Sequence, residues 1–262
     1  MCTRPSINGL VHNVFMMGLL FGLVACSSDN SPTGNTVVAD PATVTVTARD
    51  SKISANLNAR VSNGTQDTFD SDESTGQELT PFQANIMVGG DFNDGGGNTA
   101  GGSGSVDQLS SLSAQGSPDV ISGFQANGSI SGGTNAKASE GLSITARSSG
   151  SNTFDLDFVP EDGPVEIRIS GSFTLEGENS FGFVDLNGRD GSGQLLGEEF
   201  EETSPSLAFE YTITLAKDER FEFGIAIVTA VVAFADNGGS NSASGSASFL
   251  LEAEFRTLAS PN

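Results

Sequence analysis

The chain has 262 residues, with 33 acidic against 11 basic side chains and a formal net charge of −22. A field of that sign repels nucleic acid and anionic lipid headgroups, so nucleic acid is excluded as a partner. With one histidine, two cysteines, no tryptophan and one tyrosine, little remains for imidazole or thiolate chemistry, or for stacking sugars on large rings.

The chain begins with one basic residue, Arg4, and then an apolar run from Val14 to Ala25. That run is too short for a permanent membrane span, which needs roughly 20 residues, and has the length of a secretory signal core. It ends in small residues and a cysteine, followed by Ser27-Ser28-Asp29-Asn30. The stretch Leu23-Val24-Ala25-Cys26 resembles a bacterial lipobox. The resemblance implies that residues 1–25 are a lipoprotein signal peptide and that Cys26 becomes the lipid-attachment residue. With Ser27 rather than aspartate next, it further implies an outer-membrane lipoprotein facing the periplasm or the cell surface, held by its lipid. Removing residues 1–25 takes away Arg4, Cys2 and His12, leaving ten basic against 33 acidic residues, or −23. The mature chain then lacks histidine and a free thiol, which excludes Ser-His-Asp and Cys-His catalysis and imidazole- or thiolate-based metal sites. Carboxylate chemistry and oxygen-bound cations remain.

Residues 26–41 are polar and rich in Ser, Asn, Gly and Pro, and read as a flexible tether. Residues 42–258 form the domain, and 259–262 a tail. From Thr43 the pattern has period two, the mark of half-buried strands. Val44 and Val46 alternate with threonines, and Ile53, Ala55, Leu57, Ala59 and Val61 with polar residues. Further strands are predicted at 82–88, 106–112, 120–126, 142–146, 154–158, 165–175, 181–186, 207–215, 221–234 and 247–255. Asp67 to Glu78 reads as an acidic loop and Gly89 to Ser105 as a long glycine-rich loop. The stretch Ile225–Phe234 is apolar at both parities, which predicts a central strand covered on both faces. No amphipathic helix is visible.

The Ser/Ala/Gly-rich region Ser105–Asn127, the run Phe154-Asp-Leu-Asp-Phe158-Val-Pro160, the Ile169-Ser-Gly171 strand, Leu207–Leu215 and the closing Ser-Ala-Ser-Gly-Ser-Ala-Ser-Phe249 strand occur together. As a set they are similar to secreted β-sandwich proteins of environmental bacteria that carry a PEP-type exosorting tail. This chain ends Leu258-Ala-Ser-Pro-Asn262, without that tail. The resemblance implies a β-sandwich at the cell surface and supplies no catalytic residue.

Three constellations could carry chemistry. Asp185-Leu-Asn187-Gly-Arg189-Asp190-Gly191, with Glu198 and Glu199, offers alternating oxygen donors before glycine, a pattern that suits calcium and equally a polar turn. The acidic stretch 67–78, with Asp91, Asn93 and Asp94, could gather a cation or be solvated charge. Asp155 and Asp157 alternate with Phe154, Leu156 and Phe158, so both carboxylates face one side of a strand, about 6.5–7 Å apart, as a glycosidase acid/base pair requires. The expectation is a single antiparallel β-sandwich, jelly-roll-like, of about ten strands with long Gly/Ser/Asp-rich loops. Its expected role is non-catalytic: structural, adhesive or ligand-binding at the cell envelope, with no catalytic residue, cofactor or resident metal. Its expected partners are the membrane, and an extracellular polysaccharide or another envelope protein. The alternatives are a calcium-dependent carbohydrate-binding module and a carboxylate-based glycoside hydrolase.

Overall fold

A computed structural model describes residues 41–191, 193–202 and 206–258. The leader, the lipobox Leu23–Cys26, the tether up to residue 40 and the tail 259–262 lie outside them. The described residues form strands β1 (Val44–Val61), β2 (Gln66–Gly76), β3 (Phe82–Asn93), β4 (Thr99–Gln115), β5 (Ser117–Lys137), β6 (Ser143–Val159), β7 (Val165–Glu178), β8 (Ser180–Asp190), β9 (Gly193–Glu202), β10 (Ser206–Leu215), β11 (Phe221–Asp236) and β12 (Ser240–Thr257). All the pairings are antiparallel.

The pairings build two layers. Sheet I runs β2-β1-β6-β11-β8-β9, and sheet II runs β3-β4-β5-β12-β7-β10. Among the described residues they join where the start of β1 pairs with β5, at Val44–Ile121 and Thr45–Val120, and where the residues just before β1 meet β12, at Pro41–Arg256. Across the interior, β6 packs on β4 and β5, and β11 on β5 and β12. From β5 onward the chain alternates between layers except at the β8–β9 hairpin, giving β5-β12-β7-β10 over β6-β11-β8-β9, the eight-stranded jelly-roll arrangement. Strands β1 to β4 widen both sheets beside β6 and β5, so twelve strands stand where about ten are predicted.

Two predicted loops are strands. Residues 67–78 lie mostly in β2, whose edge position tolerates the acids: Asp70 accepts the Gly89 amide at 2.7 Å and Glu73 pairs with Lys52 at 2.7 Å. Residues 89–105 lie mostly in β3 and β4, joined by a turn at 94–98. Asp94 builds that turn, accepting the amides of Gly96 and Asn98 at 2.7 and 3.0 Å and the Asn98 side-chain amide at 2.6 Å. These bonds, the Asn98 side chain foremost, hold its carboxyl below the usual range.

The glycines of β4, β5 and β6 make a waist where the sheets approach most closely. A Cβ at Gly132 would lie 2.6 Å from Ser148 Oγ, and one at Gly104 2.9 Å from the same atom. One at Gly150 would lie 2.6 Å from both Ile130 Cγ2 and Val106 Cγ2. Nearby, Ser148 Oγ donates across the interior to the Ser103 carbonyl at 3.2 Å. The waist divides the interior into a phenylalanine-rich cluster and an alanine-rich one.

One cation is buried in the phenylalanine-rich end. Arg49, 4% exposed, donates from Nη2 to the Ser110 carbonyl at 3.0 Å and Oγ at 2.6 Å, and from Nη1 to the carbonyls of Glu78, at 3.1 Å, and Thr80. Its guanidinium lies 5.8 Å above the Phe154 ring centre. It ties β1 to β4 in the other sheet and to the β2–β3 connection. Burial lowers its pKa.

Candidate functional site: an acidic face on sheet I

The outer face of sheet I collects carboxylates at the phenylalanine-rich end. Strict alternation sets the rows. Asp50 of β1 is in register with Asp155 of β6, which is opposite Gly224 of β11 and then Asn187 of β8. In the adjoining row Asp157 is opposite Glu222, and Glu222 opposite Arg189. Asp50 reaches this face through a bulge: β1 shifts register between Val46 and Ala48, so Arg49 and Ser51 turn inward and Asp50 outward.

Gly224 makes room for Asp155, since a Cβ there would sit 2.5 Å from Asp155 Oδ1. Asp155 and Asp157 border two adjoining shallow depressions of about 370 and 440 Å³, one toward β8 and one toward β1. Arg220 bonds Asp157 at 2.5 Å and Glu222 at 3.3 Å, while among the described residues no hydrogen bond or ion pair reaches the Asp155 carboxylate. Desolvation first, then Asp50 and Asp157, push the Asp155 carboxyl up to about 6. A carboxyl that exchanges its proton near neutrality beside an arginine-held carboxylate is a proton donor and acceptor pair.

The predicted Asp155–Asp157 pair is therefore brought onto one outward face. The other two constellations are not assembled. Asp185, Asn187 and Arg189 alternate outward along β8, with Asn187 Nδ2 donating to Asp185 Oδ1 at 2.6 Å. Asp190 instead turns to the β8–β9 connection, accepting the Gly193 amide at 2.9 Å. A strand that runs to Asp190 spreads the oxygens a cation loop would have to converge. Among the described residues no three His, Cys, Asp or Glu side chains are grouped to hold a metal ion. Sequence reasoning missed Asp50, Gly224 and Glu222, which belong to the site by register alone. The parity of β1 held the signal for Asp50: Val44 and Val46 are even and Ile53 and Ala55 odd, which requires one extra residue between them.

The sequence matches no family model and no curated protein. Among solved structures it is similar to that of the infectious bursal disease virus Gx strain, at 10% identity and a TM-score of 0.19 over 84% of this chain and 64% of the other. It is also similar to the infectious bursal disease virus VP2 subviral particle, at 10% identity and a TM-score of 0.18 over 84% and 63%. A third is a GH31 alpha-xylosidase from Xanthomonas citri, at 9% identity and a TM-score of 0.14 over 68% and 28%. The chain thus spans less than two thirds of either viral chain it matches. Scores this low carry no functional argument.

Proposed function

We propose that this is a non-catalytic, lipid-anchored cell-envelope protein whose sandwich presents a structural or adhesive surface. The observation that carries the reading is Leu23-Val24-Ala25-Cys26, placed between an apolar core and a polar segment. The two acyl chains of a diacylated Cys26 suffice for stable membrane attachment. Among the described residues the surface depressions are shallow and open, which suits a face that meets other surfaces. The test is fractionation of cells expressing the full chain and Cys26→Ala. The expected result is membrane retention of the first, and a soluble or uncleaved form of the second. Equal membrane retention of both overturns the anchor.

A second reading, a carboxylate-based glycoside hydrolase, is favoured by one observation, the raised carboxyl of Asp155 beside Asp157. Their same-face spacing of roughly 6.5–7 Å falls in the range of inverting enzymes. Release of reducing ends from a panel of polysaccharides, lost in Asp155→Asn, would establish it. No release by the folded chain retires it. The calcium-dependent carbohydrate module has no converging carboxylates among the described residues to support it.

A further inference from the structure

The outer face of sheet I is polarised along its strands; its middle is polar on β1 and β6, where Ser54 Oγ and Ser151 Oγ lie 2.8 Å apart, and apolar on β11 and β8. At one end stand Asp50, Asp155, Asp157 and Glu222, with Arg189 and Arg220 among them. At the other stand Arg60 and Arg147, which line one open depression with Asn58, Thr68 and Thr145. Asp67, in register with inward-facing Ala59, borders the same depression, and Asp236 ends β11 beyond Phe234. At the arginine end β11 leaves Phe234 51% exposed, in register with Thr145; nearer the middle β8 leaves Phe181 45% exposed, and Phe183 and Val228 are partly exposed at the level of Ser151. The predicted cover on both faces of β11 is absent on this side among the described residues. Glu201 of β9 is in register with Phe183, on the side away from the arginines.

Charge is unbalanced within this face. On this face Lys52 and Arg220 each hold a carboxylate within 4 Å, as Arg168 and Arg256 do on sheet II. Arg60 and Arg147 hold none among the described residues, in a chain with 33 acids. Arg147 instead rests its guanidinium 5.3 Å over the Phe181 ring, which fixes it on the surface with its N–H groups open. Asp155, at the far end of the same strand, has no cation partner either.

We propose that this face pairs with the same face of a second copy of this chain. Arg147 and Asp155 both point outward from β6, eight residues and about 26 Å apart. A two-fold axis lying between the faces, across the strands at Ser151, sets each Arg147 against the other copy's Asp155. The same operation sets Arg60 at the level of Asp157. Ser151 is in register with Val228, and Val228 with Phe183, so those two apolar side chains sit on the axis and meet their own copies. A two-fold contact is self-complementary, and a face with opposite charges at its ends and, midway, an apolar strip on β11 and β8 beside serine hydroxyls on β1 and β6 satisfies that condition. The face spans roughly 40 Å from Thr145 to Asp157 and roughly 19 Å from β2 to β8, close to the 800 Å² per partner of a standard interface. The pairing gives an adhesive surface a partner without depending on the lipid.

Sedimentation equilibrium at pH 8, where Asp155 is ionised, tests this. The chain from Ser27 to Asn262 contains the whole compact unit Val38–Asn262 and serves as the sample. It is expected to form a concentration-dependent dimer. Arg147→Asp and Asp155→Arg should each weaken the dimer at least ten-fold, and the double variant carrying both should recover it, because a two-fold face restores both ion pairs with exchanged signs. Val228→Lys, on the axis, should abolish it, and Arg168→Asp on sheet II should leave it intact. Thermal melts confirm that each variant is folded. A wild-type chain that stays monomeric, single variants that dimerise normally, or a folded double variant that fails to recover would each overturn the proposal.

Discussion

At one end of the sandwich Phe124, Phe154, Phe158, Phe173, Phe221, Phe223, Phe249 and Phe255 fill the space between the sheets. At the other end eight of the twelve clustered side chains are alanine. The same strands supply both: β6 gives Phe154, Leu156 and Phe158 to the first, and Ile144 and Ala146 to the second. Between them the glycines of β4, β5 and β6 bring the sheets together. Large rings hold two sheets apart and alanines let them close, so one jelly roll is built with a thick end and a thin end. The thick end buries more apolar surface per strand and should carry most of the stability. It is also the end that carries Arg49 inside and the carboxylates outside.

The contrast is sharpest in Phe154, which stacks 5.5 Å from Phe124 beneath Arg49. Phe154→Ala should cost about 3–5 kcal/mol in urea denaturation. Gly150→Ala drives a methyl into Ile130 and Val106 at the waist and should cost about 1–3 kcal/mol. Ala146→Gly, at the thin end, should cost about 1 kcal/mol. If Ala146→Gly destabilises as much as Phe154→Ala, the division into two ends fails.

On the outside of the thick end the effects are smaller and depend on pH. The Asp155 carboxyl titrates near 6 in the folded chain, above about 3.9 in the unfolded one. The folded state therefore holds the proton more tightly, and stability falls as pH rises from about 4 to about 6. At protein concentrations low enough to keep the chain monomeric, Asp155→Asn should raise the melting temperature at pH 8 and leave it unchanged at pH 4; a shift of equal size at both would assign the effect to packing instead. The smallest expected effect is that of calcium. Melting temperatures with calcium and with chelator should coincide, since Asp185 and Asp190 diverge and Asp70, Asp72 and Glu73 of β2 are bonded to backbone amides or Lys52.

The class of fold was legible because alternation survives in β6, β7, β10 and β12, where inward side chains, buried or, as Leu207, Phe209 and Tyr211 of β10, half-buried, alternate with outward ones. It failed in β2, β3 and β4. Strand β2 is an acidic edge with only Phe69 packed inward, so it lacks the apolar period. In β3 and β4 the inward positions include glycines selected by close approach between sheets, and composition alone reads them as loop. The Asp155–Asp157 pair was legible because two residues on one strand share a face. Its neighbours Asp50, Glu222 and Gly224 come from strands far apart in sequence, and only register brings them together. The central position of Ile225–Phe234 follows from its β-branched richness. Its open outer side does not, because an apolar run does not record which face is covered.

The last strand has a place that bears on how the molecule is made. In β12, Ala247 pairs with Ile130 on one side and Leu175 on the other, so β12 fills the gap between β5 and β7. A chain delivered from its N-terminus holds two half-sheets with facing bare edges until the residues through Thr257 arrive. Contacts this remote in sequence make closure slow. Until then sheet II stays split between β5 and β7, and the interior beneath that gap stays open.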